Sequence, residues 1–102
     1  MEFIDTETIK VENNKDEQRF ETEINGYTGV AEYHINGNQM IFTHTGVPRP
    51  IGGQGVANKL IKTALDYARE NHLQVVPLCS FVSTYIRRHP EYKSLLSSGP
   101  KV

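Results

Sequence analysis

The residues most able to do chemistry are a glycine cluster, Gly52-Gly53-Gln54-Gly55-Val56-Ala57, and a lone thiol in Pro77-Leu78-Cys79-Ser80. The cluster runs at once into Asn58-Lys59-Leu60-Ile61, the opening of an amphipathic stretch. Glycine has no Cβ, so a pyrophosphate can approach the main chain closely. A helix start adds unpaired N–H groups and the positive end of the peptide dipoles. Amides of Gly53, Gln54, Gly55, Val56 and Ala57 therefore suit a phosphorylated ligand, with Gly52 and Asn58 flanking them. The same glycines also suit a plain turn that caps a helix. No Gly-Lys-Ser/Thr follows, and the spacing departs from Gly-x-Gly-x-x-Gly, so neither common nucleotide loop is present.

Cys79 falls where an apolar run ends and a helical pattern begins. A helix N-terminus favours the thiolate; a small buried side chain is the other use of a free cysteine. His44 precedes the glycine loop. Strict alternation puts it on one face with Met40 and Phe42, where it is either a base near neutral pH or a packed imidazole. Thr45 then falls on the opposite face, to bond a ligand or fill the sheet. Tyr85 follows Cys79 by six residues and offers a phenol to protonate a departing thiolate. Tyr92 offers another, and both equally suit core packing with the hydroxyl at the edge. His34, His72 and His89 read as surface or boundary residues. One cysteine and no His-x-x-x-His spacing give no reason to expect a metal.

Two periodicities position these groups. Before Pro48 the pattern has period two. Ile9 and Val11 mark a short first strand, Asn13-Asn14-Lys15-Asp16 a turn, and Phe20, Thr22 and Ile24 alternate with Glu21 and Glu23. Asn25-Gly26 predicts a type I′ hairpin. A strand over 27–35, a second turn at Asn36-Gly37 and a strand over 39–47 complete an antiparallel meander of four strands. After Pro48, Ala57, Leu60, Ile61, Ala64, Leu65 and Ala68 make one helical stripe, ending at Asn71-His72. Residues 74–78 read as a buried fifth strand. A strand, a helix and a strand imply a right-handed crossover and parallel pairing. A short helix over 80–88 is broken at His89-Pro90, and Pro90 opens a final helix through Leu96. Residues 97–102 read as a frayed tail. The fold class is α+β.

The chain has 102 residues and a formal net charge of -1. That length suits one domain spanning 1–102, with a core over about 9–96. The near-neutral balance gives no broad basic field for nucleic acid. Helicity could still gather Arg69, Arg87, Arg88 and Lys93 on one side, most simply as a solvated face. No apolar run approaches the roughly 20 residues of a spanning helix. Met1-Glu2-Phe3-Ile4-Asp5 has no signal-peptide core. A lone cysteine fits a reducing compartment, so a cytoplasmic protein without a membrane partner is expected.

The order of elements and the loop between them resemble the GCN5-related N-acetyltransferases. Gly52 to Ala57 is similar to their pyrophosphate motif, Gln/Arg-x-x-Gly-x-Gly/Ala, with Gly55 and Ala57 at its last two defined positions. Gly52 stands where a Gln or Arg is usual, which removes a side chain but not the main-chain cradle. His44-Thr45-Gly46-Val47-Pro48, Pro77-Leu78-Cys79-Ser80-Phe81-Val82 and His89-Pro90-Glu91-Tyr92 resemble the small single-domain members with a Pro-x-Cys-Ser motif. The resemblance implies acetyl-CoA in a gap where the fourth and fifth strands splay apart. It places the pantetheine arm along Thr45, Gly46 and Val47, and the thioester near Cys79 and Ser80. It implies acetyl transfer to an unidentified amine, either directly or through an acetyl-cysteine at Cys79. The missing acceptor elements and catalytic Glu also leave a CoA-binding module without turnover, or a protein-interaction module. An open sheet edge fits a monomer or a weak homodimer.

Overall fold

The computed structural model describes residues 5–97. Five strands form one sheet in the order β1-β2-β3-β4-β5: β1 Glu12–Asn14, β2 Arg19–Ile24, β3 Tyr27–Asn36, β4 Gln39–Gly46 and β5 Gln74–Pro77. A 3₁₀ turn, Arg49–Ile51, leads into helix α1, Val56–Glu70. Helix α2, Ser80–Arg88, follows β5, and a 3₁₀ segment, Pro90–Leu95, follows α2.

The first four strands pair antiparallel and β5 runs parallel to β4. The β2–β3 hairpin turns on Asn25 (φ 53°) and Gly26 (φ 82°). Two successive positive angles are the type I′ geometry, which matches the twist of the strands. In the next hairpin Asn36 pairs with Gln39, so the two-residue loop is Gly37-Asn38, one residue later than expected. Gly37 at φ 61° supplies the positive first position of a type II′ turn.

The first strand also lies later than expected. The pairing residues are Glu12, Asn13 and Asn14, not Ile9 and Val11. Side-chain bonds hold the asparagines in the ladder. Tyr33 Oη donates to Asn13 Oδ1 at 2.6 Å, and Asn14 Nδ2 donates to Glu21 Oε1 at 3.4 Å. Asn14 Oδ1 also accepts the Glu17 N–H, which moves the turn onto 15–18. Ile9 is still buried in the core.

Helix α1 buries Leu60, Ile61, Ala64, Leu65 and Ala68 of the expected stripe, but its first buried residue is Val56 and not Ala57, which is half-buried. They cover Phe20, Ala31, Met40, Phe42 and Val75 on one face of the sheet. The helix ends in a Schellman motif. His72 sits at φ 56°, its N–H donates to the Arg69 carbonyl, and the Leu73 N–H donates to that of Ala68 at 2.8 Å. A histidine thus takes the left-handed place usually held by glycine.

Helices α1 and α2 and the 3₁₀ segment touch one another and pack on that one sheet face. The expected final helix opening at Pro90 is present and is of 3₁₀ type: its bonds span three residues, Tyr92 N–H to His89 and Leu96 N–H to Lys93. Tyr92 fixes it to α1, donating to Asp66 Oδ1 at 2.7 Å while Arg69 lies over its ring. The Ser97 N–H donates to the Val75 carbonyl, so that residue is held against β5. Residues 98–102 of the expected tail, and Met1 to Ile4 of the expected N-terminus, lie outside the described residues.

Candidate functional site

Strands β4 and β5 part company at Phe42. Their register ends with Phe42 opposite Pro77, and the Phe42 carbonyl accepts two N–H groups, from Leu78 at 3.0 Å and Cys79 at 3.1 Å. Strand β4 continues alone along β3, with Glu32 opposite His44, Ala31 opposite Thr45 and Val30 opposite Gly46. Between the Tyr33–Phe42 and Glu32–His44 pairs one residue, Thr43, is extra. That bulge reverses which face each later side chain takes.

The reversal corrects the expected placement of His44. Phe42 points into the core, but His44 faces away from the helices and is exposed. Thr45 takes the inner side, opposite buried Ala31. There its Oγ1 lies 3.5 Å from Cys79 Sγ. The His44 imidazole lies over Gly46, where a Cβ would come within 2.9 Å of Nε2. His44 is therefore on the outer lip of the gap, and Thr45, not His44, is the partner of the thiol.

Cys79 caps α2 in an extended conformation, φ -80° and ψ 128°, and its carbonyl accepts the Ser83 N–H. Burial pushes its thiol up, but the Thr45 hydroxyl and the N–H groups of Val82, Phe81 and Thr45 more than offset this. The thiol is held below its ordinary value. This is thiolate stabilisation by converging donors at a helix start. Ser80 follows as the first residue of α2 and is exposed.

The glycine loop has the conformation that its residues require. Gly53 and Gly55 sit at φ 72° and 83°, and Gly55 is the N-cap of α1. The first helical bond runs from the Lys59 N–H to the Gly55 carbonyl, which leaves the N–H groups of Val56, Ala57 and Asn58 without helical acceptors. A Cβ on Gly53 would meet nothing within 4 Å, so the loop is open to a ligand. Gly52 is different. Its N–H donates to the Arg49 carbonyl at 3.0 Å and closes the 3₁₀ turn, so it is not a free donor. A cavity of about 300 Å³ lies against Val47, Gly53, Gly55, Val56, Asn58 and Phe81. Val47 is two residues beyond Thr45, and Phe81 two beyond Cys79. Its walls thus come from the strand end and the helix start that also carry Thr45 and Cys79.

Phe81, 37% exposed on the wall of that cavity, was not singled out in the sequence. Its only signal there was an apolar residue in the exposed first turn of a helix. Tyr85 lies further along α2. It is buried, stacked on His89 with ring centroids 3.9 Å apart, and its charged neighbours are Lys62, Asp66 and Glu91. Burial raises its phenol. Among the described residues, no group of three or more His, Cys, Asp and Glu is placed to hold a metal, and no helix is long and apolar enough to cross a membrane.

Comparison with known proteins decides the family. The sequence model described as GCN5-related N-acetyl-transferase matches residues 19–95. The chain belongs to the GCN5-related N-acetyltransferase family. Within it, the chain is 31% identical over 85 residues to the NATD1 protein of Mus musculus, covering 80% of this chain and 77% of that one. It is also 31% identical to NATD1 of Homo sapiens, covering 80% and 75%. A GCN5-like candidate N-acetyltransferase from Staphylococcus aureus, solved by NMR, superposes with a TM-score of 0.69 at 27% identity, over 90% of this chain and 91% of that one. This small member of the GCN5-related N-acetyltransferase family therefore has the family's α+β fold, and β4 and β5 part as the resemblance implied.

Proposed function

We propose that this domain binds acetyl-CoA and transfers the acetyl group to a primary amine through Cys79. The observation that supports the reading is the cavity at the first turn of α1, whose Val47 and Phe81 walls lie two residues along the chain from the Thr45–Cys79 contact. The amides of Gly53, Gln54, Gly55, Val56, Ala57 and Asn58 hold the pyrophosphate, a role that the open loop and the unpaired helical N–H groups support. The free edge of β4 at Thr45, Gly46 and Val47 takes the pantetheine amides as an added strand would. Ser80 and Phe81 form the opposite wall.

When bound, acetyl-CoA supplies an acyl thioester. The Cys79 thiolate attacks its carbonyl carbon. A new S–C bond forms while the thioester C–S bond breaks, and CoA leaves as a thiolate that takes up a proton. The Thr45 N–H, which faces the sulfur, donates to the carbonyl oxygen as charge develops on it. The amine then attacks the acetyl-cysteine. Cys79 leaves as a thiolate, and the proton of the amine passes to His44 or to water on the outer side.

A CoA-binding module without turnover is the second reading, favoured by one observation: the phenol of Tyr85 is committed to packing and stacking. Intact-mass analysis after incubation with acetyl-CoA separates the two. An acetyl adduct on the wild type, absent in Cys79→Ala and discharged by a primary amine, supports transfer. CoA binding without adduct or turnover supports the module. A flat calorimetric titration at millimolar CoA overturns both.

A further inference from the structure

Strand β5 is the last in the sheet, and an apolar surface surrounds its outer edge. Leu78 is 70% exposed and Leu96 39%. Two cavities flank the edge and meet at Pro77. On the face away from the helices, Ile41, Val76, Pro77 and Leu78 line one of about 340 Å³. On the helical side, Pro77, Ile86 and Leu96 line one of about 190 Å³, rimmed by Ser83, Arg87 and Lys93. Among the described residues no carboxylate lines either cavity. The ion pairs among those residues join Arg19 to Glu21 and Lys62 to Asp66, so Arg87 and Lys93 are not neutralised by a carboxylate. Exposed apolar side chains gathered in one patch with a polar rim mark an interaction site. Neither cavity shares a residue with the one at the start of α1.

We infer that this edge docks an amphipathic helix of another protein, with leucine-like residues over Pro77, Leu78 and Leu96 and acidic residues facing Arg87 and Lys93. The inference stands apart from the acetyl-transfer reading. The backbone rules out an added strand. Gln74 and Leu78 donate to Asn38 and Phe42 on the β4 side, so the polar groups of Val75 and Pro77 point outward. The Val75 carbonyl already accepts the Ser97 N–H, Val75 is bridged to Leu96, and Pro77 has no N–H. An extended segment therefore finds no ladder here. A helix satisfies its own backbone and needs only side-chain contacts. Charge selects the occupant. Two-fold pairing of this edge with its own copy gathers Arg87 and Lys93 of both copies at one interface, where they repel. The chain's own carboxylates at Glu12, Glu21 and Glu23 lie on β1 and β2, at the other end of the sheet. Joining that end to this edge gives a head-to-tail chain of copies, not a closed pair. A separate acidic partner avoids both problems. Covering Leu78 and its neighbours supplies its affinity, and the two cations steer and orient it.

The test uses a fluorescein-labelled synthetic helix of about 14 residues, roughly four turns. Leucines at helical spacing make one face, and glutamates flank it on one side. A matched peptide carries lysines in place of the glutamates. Anisotropy measures binding to the full chain, and amide chemical shifts locate it. The glutamate peptide is expected to bind at least about fivefold tighter than the lysine one and to shift the amides of Val76, Leu78, Ser83, Arg87 and Leu96. The preference should shrink in about 0.5 M salt. Leu78→Asp should weaken both peptides, and the double variant Arg87→Glu, Lys93→Glu should invert the preference. Leu78, Arg87 and Lys93 are exposed, so both variants should keep the wild-type melting temperature and CoA affinity. Equal binding of the two peptides, shifts confined to residues away from β5 and α2, or no binding at about 1 mM peptide overturns the inference and leaves the CoA reading standing. A homodimer that Leu78→Asp dissociates in sedimentation also overturns it, since a second copy then covers the edge.

Discussion

Thr45 Oγ1 stands 3.5 Å from Cys79 Sγ, across the gap that opens where β4 and β5 separate. The two residues are far apart in sequence, on a strand end and a helix cap. The thiol donates to the hydroxyl when neutral, and the hydroxyl donates to the sulfur when it is ionised. The contact therefore favours the thiolate, together with the N–H groups of Val82, Phe81 and Thr45.

Replacing Thr45 by Val removes the hydroxyl and keeps the shape. A hydrogen bond to a charged group contributes about 1.5–3 kcal/mol, so the pH midpoint of Cys79 alkylation should move up. At neutral pH the rate with iodoacetamide should fall about tenfold or more. An unchanged midpoint would show that the backbone donors alone hold the thiolate.

Gly55→Ala and Gly53→Ala separate strain from ligand contact. Both positions have positive φ, so each alanine costs about 1–2 kcal/mol. At Gly55 the new Cβ also meets Thr6 Cγ2 at 3.1 Å, whereas at Gly53 it meets nothing. Thermal melts should therefore show Gly55→Ala as the less stable variant, with part of the loss recovered by Thr6→Ser. CoA affinity, measured by calorimetry, should fall in both.

Asp66 makes stability fall in acid. Burial pushes its carboxyl up, but the Lys62 ammonium and the Tyr92 hydroxyl bring it below the ordinary aspartate value. A lowered folded value means that the carboxylate stabilises the fold fully above the ordinary aspartate value, and that this is lost as pH falls through the folded value. Tyr92→Phe should cost about 1 kcal/mol at neutral pH and flatten the pH dependence of the melting temperature in that acid range. Identical slopes for the two proteins would remove Asp66 from the acid response.

Gly46→Ala should displace the His44 ring, because the added Cβ would lie 2.9 Å from Nε2. If His44 accepts the amine proton, Gly46→Ala and His44→Ala should each slow turnover. The double variant should be no slower than His44→Ala alone, a coupling of about 1 kcal/mol. Additive losses would mean that Gly46 matters for pantetheine and not for the imidazole.

Periodicity and turn chemistry made most of the architecture legible. The stripe from Leu60 to Ala68, the Asn25-Gly26 turn and the parallel fifth strand are all local patterns, and all are present. The glycine loop was legible because positive φ leaves few alternatives to glycine. The early strand was misplaced because Asn13 and Asn14 read as turn residues. Their partners, Tyr33 and Glu21, come from other strands and carry no local signal. The faces of His44 and Thr45 were inverted for the same kind of reason. Alternation holds through Phe42, and nothing in Phe42-Thr43-His44 announces an extra residue; the irregularity is a property of the pairing with β3. The ring of Tyr85, six positions or about 9 Å of helix rise beyond Cys79, groups with His89 and Tyr92, a cluster that spans two elements and carries no local signal.

The unmatched Thr43 also fixes how length variation at this strand would act. Deleting that single position would abolish the bulge yet leave Phe42–Tyr33, His44–Glu32 and Thr45–Ala31 as consecutive pairs, so the imidazole would stay outward and the hydroxyl inward. A one-residue gap at Thr43 therefore spares the facing of the reaction centre, as a gap in the Lys15 to Gln18 turn does.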